Sequence, residues 1–263
     1  MLLPSVTAIN ALVIGATQGI GMAFVQQLLG EERITHLFAS YRSKQTTEGL
    51  LALASQYPDR LHLIQMDITD EEQIENGVAA VKAILLRRGF ANAPNLHIAI
   101  NCVGLLHNDQ QQPEKALRQL NSENLLTYFK INSIGPALLA KHLLDLLKHT
   151  EPSIFATISA KIGSIGDNRI GGWYGYRASK AALNMFLKTA AIEYSRRSPK
   201  TAIVMLHPGT TDTRLSKPFQ RGVPPEKLFS TEKTVSQLLS VLENVTIKDS
   251  GEFFSWDGSR LPW

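Results

Sequence analysis

Tyr176 and Lys180 stand four residues apart in the stretch Gly172-Trp173-Tyr174-Gly175-Tyr176-Arg177-Ala178-Ser179-Lys180. On a helix that spacing puts them about one turn apart on one face. An ammonium held beside a phenol favours the phenolate and draws an acid of ordinary pKa ~10 toward working pH. A tyrosine tuned in this way can donate and accept protons in catalysis. The same spacing also fits a solvated helix face, so its chemistry depends on what the rest of the chain supplies.

A second feature is the run Gly15-Ala16-Thr17-Gln18-Gly19-Ile20-Gly21, which follows the apolar stretch Ala11–Ile14 and opens a helical pattern. Glycines there permit a tight turn and a close backbone approach to a pyrophosphate, and a helix N-terminus favours an anion. The spacing is Gly-x-x-x-Gly-x-Gly, distinct from the general dinucleotide fingerprint. The next strand ends Ser40-Tyr41-Arg42-Ser43 without an acidic residue. An acid would bind the adenosine ribose of NAD, whereas Arg42 with Ser43 suits a 2′-phosphate, so NADP(H) is expected over NAD(H).

The elements that must carry these residues alternate along the chain. Strands are expected at 11–14, 34–40, 61–66, 97–100, 153–159, 202–206 and 252–256, with helices between them. One helix starts with a cap at Thr69-Asp70-Glu71-Glu72. Another runs from Glu123 to about Lys148, bent or tightened at Gly135-Pro136, and another spans Trp173 to Arg197. This order predicts one α/β domain over residues 1–263, a doubly wound Rossmann-type parallel sheet of about seven strands with helices on both faces. Residues 214–230 hold three prolines and no period, and read as a loop on the substrate side. Gly15, Asp67, Asn101, Ser159 and His207-Pro208-Gly209 fall at strand ends, where ligands bind in such sheets.

The composition narrows the function classes. With 263 residues, 44% hydrophobic and 19% charged, the chain can bury a full core. A net charge of +4 is mild, and the basic pairs Arg87-Arg88 and Arg196-Arg197 read as solvated helix ends, so no nucleic-acid stripe is expected. No apolar run reaches the ~20 residues of a membrane span. The N-terminus lacks a charged signal region, and the single cysteine, Cys102, allows no intramolecular disulfide. A cytoplasmic location is expected. The seven histidines show no metal-binding spacing, and no metal is expected. Trp173, Tyr174 and Phe186 are open between core, interface and substrate pocket.

Taken in order, these motifs resemble the classical short-chain dehydrogenases/reductases from about residue 9 to the end. The likeness adds Asn101-Cys102-Val103-Gly104, with Cys102-Val103 where the family has Asn-Ala, then Asn132, and Pro208-Gly209-Thr210-Thr211-Asp212-Thr213. Altered packing near the cofactor is expected from Cys102-Val103. Lys161 to Asn168, Gly171 to Lys180, Trp256-Asp257-Gly258 and Pro262-Trp263 are similar to the C-factor-like subgroup, which includes NADPH-dependent carbonyl reductases. The resemblance implies a catalytic set of Asn132, Ser159, Tyr176 and Lys180. Tyr176 would supply a proton, Lys180 would lower its pKa and hold the nicotinamide ribose, Ser159 would bind the substrate oxygen, and Asn132 would hold a water.

It also implies a cofactor site of Gly15, Thr17, Gln18, Gly19, Ile20, Gly21, Arg42, Ser43, Asp67, Ile68, Asn101, Val103, Gly104, Tyr176, Lys180, Pro208, Gly209, Thr211 and Thr213. The expected activity is interconversion of a small-molecule ketone or aldehyde and an alcohol with NADP(H). The expected assembly is a homodimer or homotetramer through the helices starting near Glu123 and Trp173. A nucleotide-binding regulatory protein with little turnover is the alternative.

Overall fold

Strand β1 (Ile9–Ile14) is buried at all six positions, and its side chains divide between two cores. Ala11 and Val13 pack on one side of the sheet, Leu12 and Ile14 on the other, as the two-residue period of a strand requires. A strand covered on both faces reads as a continuous apolar run. The structure is a computed structural model that describes residues 2–87 and 95–263; Arg88 lies outside the described residues.

From β1 the chain continues through α1 (Gly19–Leu29), β2 (Ile34–Tyr41), α2 (Glu48–Gln56), β3 (Leu61–Gln65) and α3 (Glu71–Arg87). After these come β4 (Ile98–Asn101), α4 (Ser122–Phe129), α5 (Gly135–Leu147), β5 (Ser153–Ile158), α6 (Tyr174–Arg197) and β6 (Thr201–His207). The short strands β7 (Thr210–Thr211) and β8 (Leu228–Phe229) pair with each other, and α7 (Thr231–Asn244) and β9 (Glu252–Ser255) complete the order. Seven strands form one parallel sheet in the order β3-β2-β1-β4-β5-β6-β9. The expected doubly wound α/β architecture is what the chain adopts. Residues of α1, α2 and α7 pack in one core, and residues of α3, α5 and α6 in the other. The order reverses between β1 and β4, the crevice where such sheets bind ligands.

Two local departures from expectation have clear causes. The helix from Glu123 is not one bent rod: α4 and α5 are joined by a π turn at Lys130–Ile134. Pro136 has no N–H to offer the carbonyl of Asn132, four residues back, so the regular ladder fails there. Gly135 donates to Lys130, five residues back. Gly135 is also packed so tightly that a Cβ would lie 2.6 Å from the Ile68 carbonyl oxygen. Before α3, Asp70 and not Thr69 caps the helix, its Oδ1 accepting from the N–H groups of Glu72 and Gln73. The Thr69 hydroxyl instead donates to Asp67.

Candidate active site

The glycine turn after β1 is shaped by close approach. Gly15 and Gly19 have φ of +78° and +54°, a region side chains rarely adopt. A Cβ on Gly21 would sit 2.1 Å from the Gly15 carbonyl oxygen, so the turn and the first turn of α1 close on each other only with glycine there. The turn is tied to β2 by the Gly15 N–H donating to Ser40 Oγ (3.0 Å) and the Ala16 N–H donating to the Ser40 carbonyl (2.9 Å). Arg42 is exposed at the mouth of the resulting cavity. The Ser43 hydroxyl is engaged within its own loop with Gln45. Asp67 Oδ1 accepts from the Thr69 N–H (2.9 Å) and hydroxyl (2.8 Å), which leaves Oδ2 for other partners.

Where β4 ends, Asn101 is fully buried and its Oδ1 accepts from the Val103 N–H (3.1 Å), folding the loop back. Val103 and Gly104 reach the cavity; Asn101 itself does not line it. Asn132 is fully buried in the π turn, and its amide is consumed by neighbours. Nδ2 donates to the Leu105 carbonyl (2.8 Å) and Ser179 Oγ (3.0 Å), and Oδ1 accepts from the Leu105 N–H (2.7 Å). The side chain thus clamps the loop after β4 to α6. Only the second lone pair of Oδ1 remains to hold a water, a narrower role than expected.

Tyr176 and Lys180 lie in successive turns of α6, 7% and 3% exposed. Lys180 Nζ is 5.9 Å from the centre of the Tyr176 ring and donates to the Ile158 carbonyl at 3.0 Å. Burial pushes the Tyr176 phenol well above the ordinary tyrosine range, with the neighbouring Tyr128 adding to the effect. Burial also lowers the Lys180 ammonium to about 8. The expected lowering of the phenol by the lysine is therefore not what this arrangement gives. Desolvation disfavours the charged form of both groups. Ser159, just past the end of β5, has its hydroxyl 2.7 Å from the side-chain amide of Asn184.

Past β6, Gly209 has φ +71° and turns the chain back over the sheet. Thr211 Oγ1 bonds Thr234 Oγ1 of α7 (2.8 Å), and Thr213 lies against the glycine turn, its Cγ2 3.4 Å from where a Gly19 Cβ would be. The segment beyond, residues 214–230, expected as a loop, carries short turns of its own. It holds 3₁₀ turns at Lys217–Gly222 and Pro225–Lys227, followed by β8. Phe219 from this segment packs edge-on to Trp173 (4.8 Å between ring centres) and to His107 (5.5 Å). Leu106, Ile162 and Leu215 complete an apolar group around Tyr176.

One cavity of about 610 Å³ joins these features. The expected residues Gly15, Thr17, Gln18, Gly19, Ile20, Gly21, Arg42, Ser43, Asp67, Ile68, Val103, Gly104, Ser159, Tyr176, Lys180, Pro208, Gly209, Thr211 and Thr213 all line it. Asn101 and Asn132 stand behind its wall. That size suits a sizeable ligand. Glycine at position 21 is what lets the turn close on the start of α1, the tight strand-to-helix turn that a pyrophosphate site requires.

The sequence pattern of the short chain dehydrogenase family matches residues 9–223. The chain belongs to this family. It is an oxidoreductase of the kind that acts on CH–OH and C=O groups. A 1-hydroxy-2-glutathionyl-2-methyl-3-butene dehydrogenase of Rhodococcus sp. (strain AD45) is 30% identical over 199 residues, covering 75% of this chain and 78% of its own. The C-signal of Myxococcus xanthus is 30% identical over 148 residues, 56% of this chain and 84% of that protein. Among solved structures, the NADPH-bound carbonyl reductase from chicken fatty liver superposes with a TM-score of 0.83 at 28% identity, covering 97% of this chain and 99% of that one.

Within this family member, several residues in or just behind the cleft carry no sequence signal of their own. Asn184 has only its spacing of four from Lys180 to mark it, and Phe219 and Leu215 lie where no period constrains them. Trp173, left open by the sequence, lines the cavity, whereas Phe186 lies on the surface. Cys102 is half-buried, and burial pushes its thiol far above the reactive range, so it lacks the thiolate a nucleophile needs. Spacing also could not reveal a cluster of His97, His149 and Glu151, whose ligand atoms lie within 4.8 Å of one another. Both ring nitrogens of His97 are engaged, Nδ1 accepting from the Asn10 N–H (3.1 Å) and Nε2 facing Glu151 Oε2 (3.0 Å). Metal binding there would have to break one of these. Among the described residues no helix is long and apolar enough to cross a membrane.

Proposed function

We propose that the protein interconverts an apolar ketone or aldehyde and its alcohol by hydride transfer with NADP(H). The observation that carries this reading is the single cavity that runs from the glycine turn and Arg42 to Ser159, Tyr176 and Lys180. The similarity to an NADPH-bound carbonyl reductase supports the choice of cofactor. Arg42 and Ser43 would hold the 2′-phosphate, the glycine turn the pyrophosphate, Asp67 and Ile68 the adenine, and Val103, Gly104, Pro208, Gly209, Thr211 and Thr213 the rest of the cofactor; Asn101 and Asn132 would act from behind the wall. NADPH, when bound, supplies the hydride. The charge that then builds on the substrate oxygen needs a hydrogen-bond donor and a proton. Ser159 provides the first and Tyr176 the second. A phenol held protonated by burial is suited to giving its proton to an alkoxide. Lys180, an ammonium at neutral pH, would hold the cofactor ribose and replenish that proton.

The walls beside Tyr176 are Leu106, Ile162, Trp173, Leu215 and Phe219, which supports a substrate with an apolar body. We read residues 1–263 as one domain with 214–230 as its substrate-side loop. Exposed Leu126, Met185, Phe186 and Ile192 on α4 and α6 support pairing with a second copy through those helices. The single cysteine supports a reducing, cytoplasmic compartment.

The test is NADPH oxidation by purified protein across quinones, diketones and aromatic aldehydes, for wild type and Tyr176→Phe. Turnover lost on Tyr176→Phe with NADPH binding retained is expected; equal rates in both proteins would overturn the assignment. A second reading, a nucleotide-binding regulatory protein with little turnover, draws on the similarity to the C-signal. A cellular effect that survives Tyr176→Phe would favour it.

A further inference from the structure

The end of β5 is gripped by two successive turns of α6. Lys180 donates to the Ile158 carbonyl, and the residue that follows the strand, Ser159, meets Asn184 at 2.7 Å. Tyr176, Lys180 and Asn184 recur at intervals of four, so they share one face of α6, and all three are buried. The Ser159 backbone is fixed by its N–H donating to the Leu206 carbonyl (2.8 Å), so its hydroxyl has little freedom except in where its proton points.

That proton decides what Ser159 can do. With Asn184 Oδ1 facing it, the hydroxyl gives its one hydrogen to Asn184 and can only accept from a ligand. In that orientation Asn184 Nδ2 is buried with no partner. Orphaned buried N–H groups are rare, whereas a carbonyl oxygen lacking a partner is less so. The two ends of the amide have nearly the same shape, and turning it over leaves every heavy-atom position in place. Nδ2 then donates to Ser159 Oγ, and the serine hydrogen is released toward the cleft.

We infer that Asn184 is a positioning residue that donates to Ser159 Oγ and so directs the serine hydrogen onto the substrate oxygen. This rests on the carbonyl–alcohol reading of the same site. Asn184 touches neither substrate nor cofactor; its effect passes through Ser159.

The experiment compares Asn184→Asp, which can only accept, with Asn184→Leu, which does neither, in wild-type and Ser159→Ala backgrounds. An apolar diketone is the substrate. The carboxylate would capture the serine hydrogen, so Asn184→Asp is expected to lower kcat at least 30-fold, with KM and the NADPH dissociation constant within threefold. Asn184→Leu leaves the hydrogen free and is expected to lower kcat less than tenfold. In the Ser159→Ala background the two variants are expected to agree within twofold. A purely structural role would move KM and thermal stability together and would persist without the serine. Equal losses for Asp and Leu, or an Asp effect undiminished in Ser159→Ala, would overturn the inference.

Neutron diffraction on the deuterated wild type gives an answer even if the Asp variant does not fold. Deuterium on the Asn184 atom facing Ser159 is expected, and oxygen there would overturn the assignment. Failure of the underlying reading looks different: wild type would reduce no carbonyl, and Ser159→Ala would change nothing.

Discussion

Gly21→Ala tests the glycine turn at the point where its geometry is least forgiving. A Cβ at position 21 would lie 2.1 Å from the Gly15 carbonyl oxygen, 2.9 Å from its carbon and 3.1 Å from Ala16 Cα. All three are backbone atoms, so no side chain can swing aside. Reaching even 3.0 Å requires the turn and the helix to part by about 0.9 Å. Helix propensity pulls the other way, since alanine inside α1 is favoured over glycine by about 1 kcal/mol. Overpacking typically costs about 1–3 kcal/mol, and the upper end applies where backbone must move. A displacement near 1 Å in a binding turn can cost on the order of 100-fold. The NADPH dissociation constant, read by quenching of protein fluorescence, is therefore expected to rise about 100-fold. Gly222→Ala is the control, because nothing lies within 4 Å of a Cβ there, and its affinity should match wild type. An unchanged dissociation constant for Gly21→Ala with a raised melting temperature would show that propensity wins. The close approach would then not be what shapes the site.

Other perturbations follow from the same geometry. Arg42→Ala removes an exposed guanidinium at the cavity mouth and should weaken NADPH by about tenfold or more while leaving NADH binding unchanged, since charge-assisted contacts contribute about 1.5–3 kcal/mol; calorimetric titration with both cofactors decides it, and parallel losses would refute a 2′-phosphate role. His207 is pushed down to about 4, first by burial and then by the charge of Lys161. A base whose pKa is lower in the fold than in the unfolded chain stabilises the fold above its ordinary value and loses that contribution as pH falls. The loss should run from about pH 6.5 to 4 and reach at most about 3 kcal/mol, reduced by the residue's partial exposure. His207→Gln should flatten that limb of the melting-temperature curve, and parallel curves would exclude His207 as its source. Tyr194→Phe removes the hydroxyl that donates to the Ala140 carbonyl, a buried hydrogen bond whose loss should cost about 0.5–1.5 kcal/mol. Thermal unfolding should show a drop of a few degrees. Met185→Asp with Phe186→Asp should convert a dimer to monomer in sedimentation; a wild type that is already monomeric would remove the premise.

The fold was legible because its signals are local and repeat. Buried parallel strands write themselves as apolar runs such as Ala11–Ile14 and His97–Ile100, and the glycine turn reports a steric demand that no other residue meets. The site was legible where one residue must stand at a strand end or recur along a helix, as with Ser159, Tyr176 and Lys180. What could not be read depends on distance across the chain. Whether the Asn132 amide is free for a water depends on Leu105, 27 residues away. The partner of Ser159 is 25 residues along. The cluster joins His97 to His149 and Glu151, 52 and 54 residues further on, and Phe219 reaches Trp173 from a segment without periodicity. The π turn was half legible, since Pro136 marks a broken ladder, but whether the ladder bends or widens is decided by what Gly135 packs against.

The spacing of Tyr176 and Lys180 carries a definite geometry but not a definite electrostatic outcome. Spacing alone brings a cation to a phenol and suggests a lowered phenol pKa. Burial enters with the opposite sign for the phenolate and acts on the ammonium as well, so the same two residues end with the phenol protonated and the lysine near 8. Desolvation depends on Tyr128 and Trp173 packing against the ring, with Phe219 backing Trp173, and these side chains come from three separate segments. A tyrosine held as the neutral acid is prepared to protonate an alkoxide, and it would have to be drawn down before it could remove a proton from an alcohol. The protonation state of Tyr176 is therefore set less by the lysine four residues away than by the burial of its ring among these side chains.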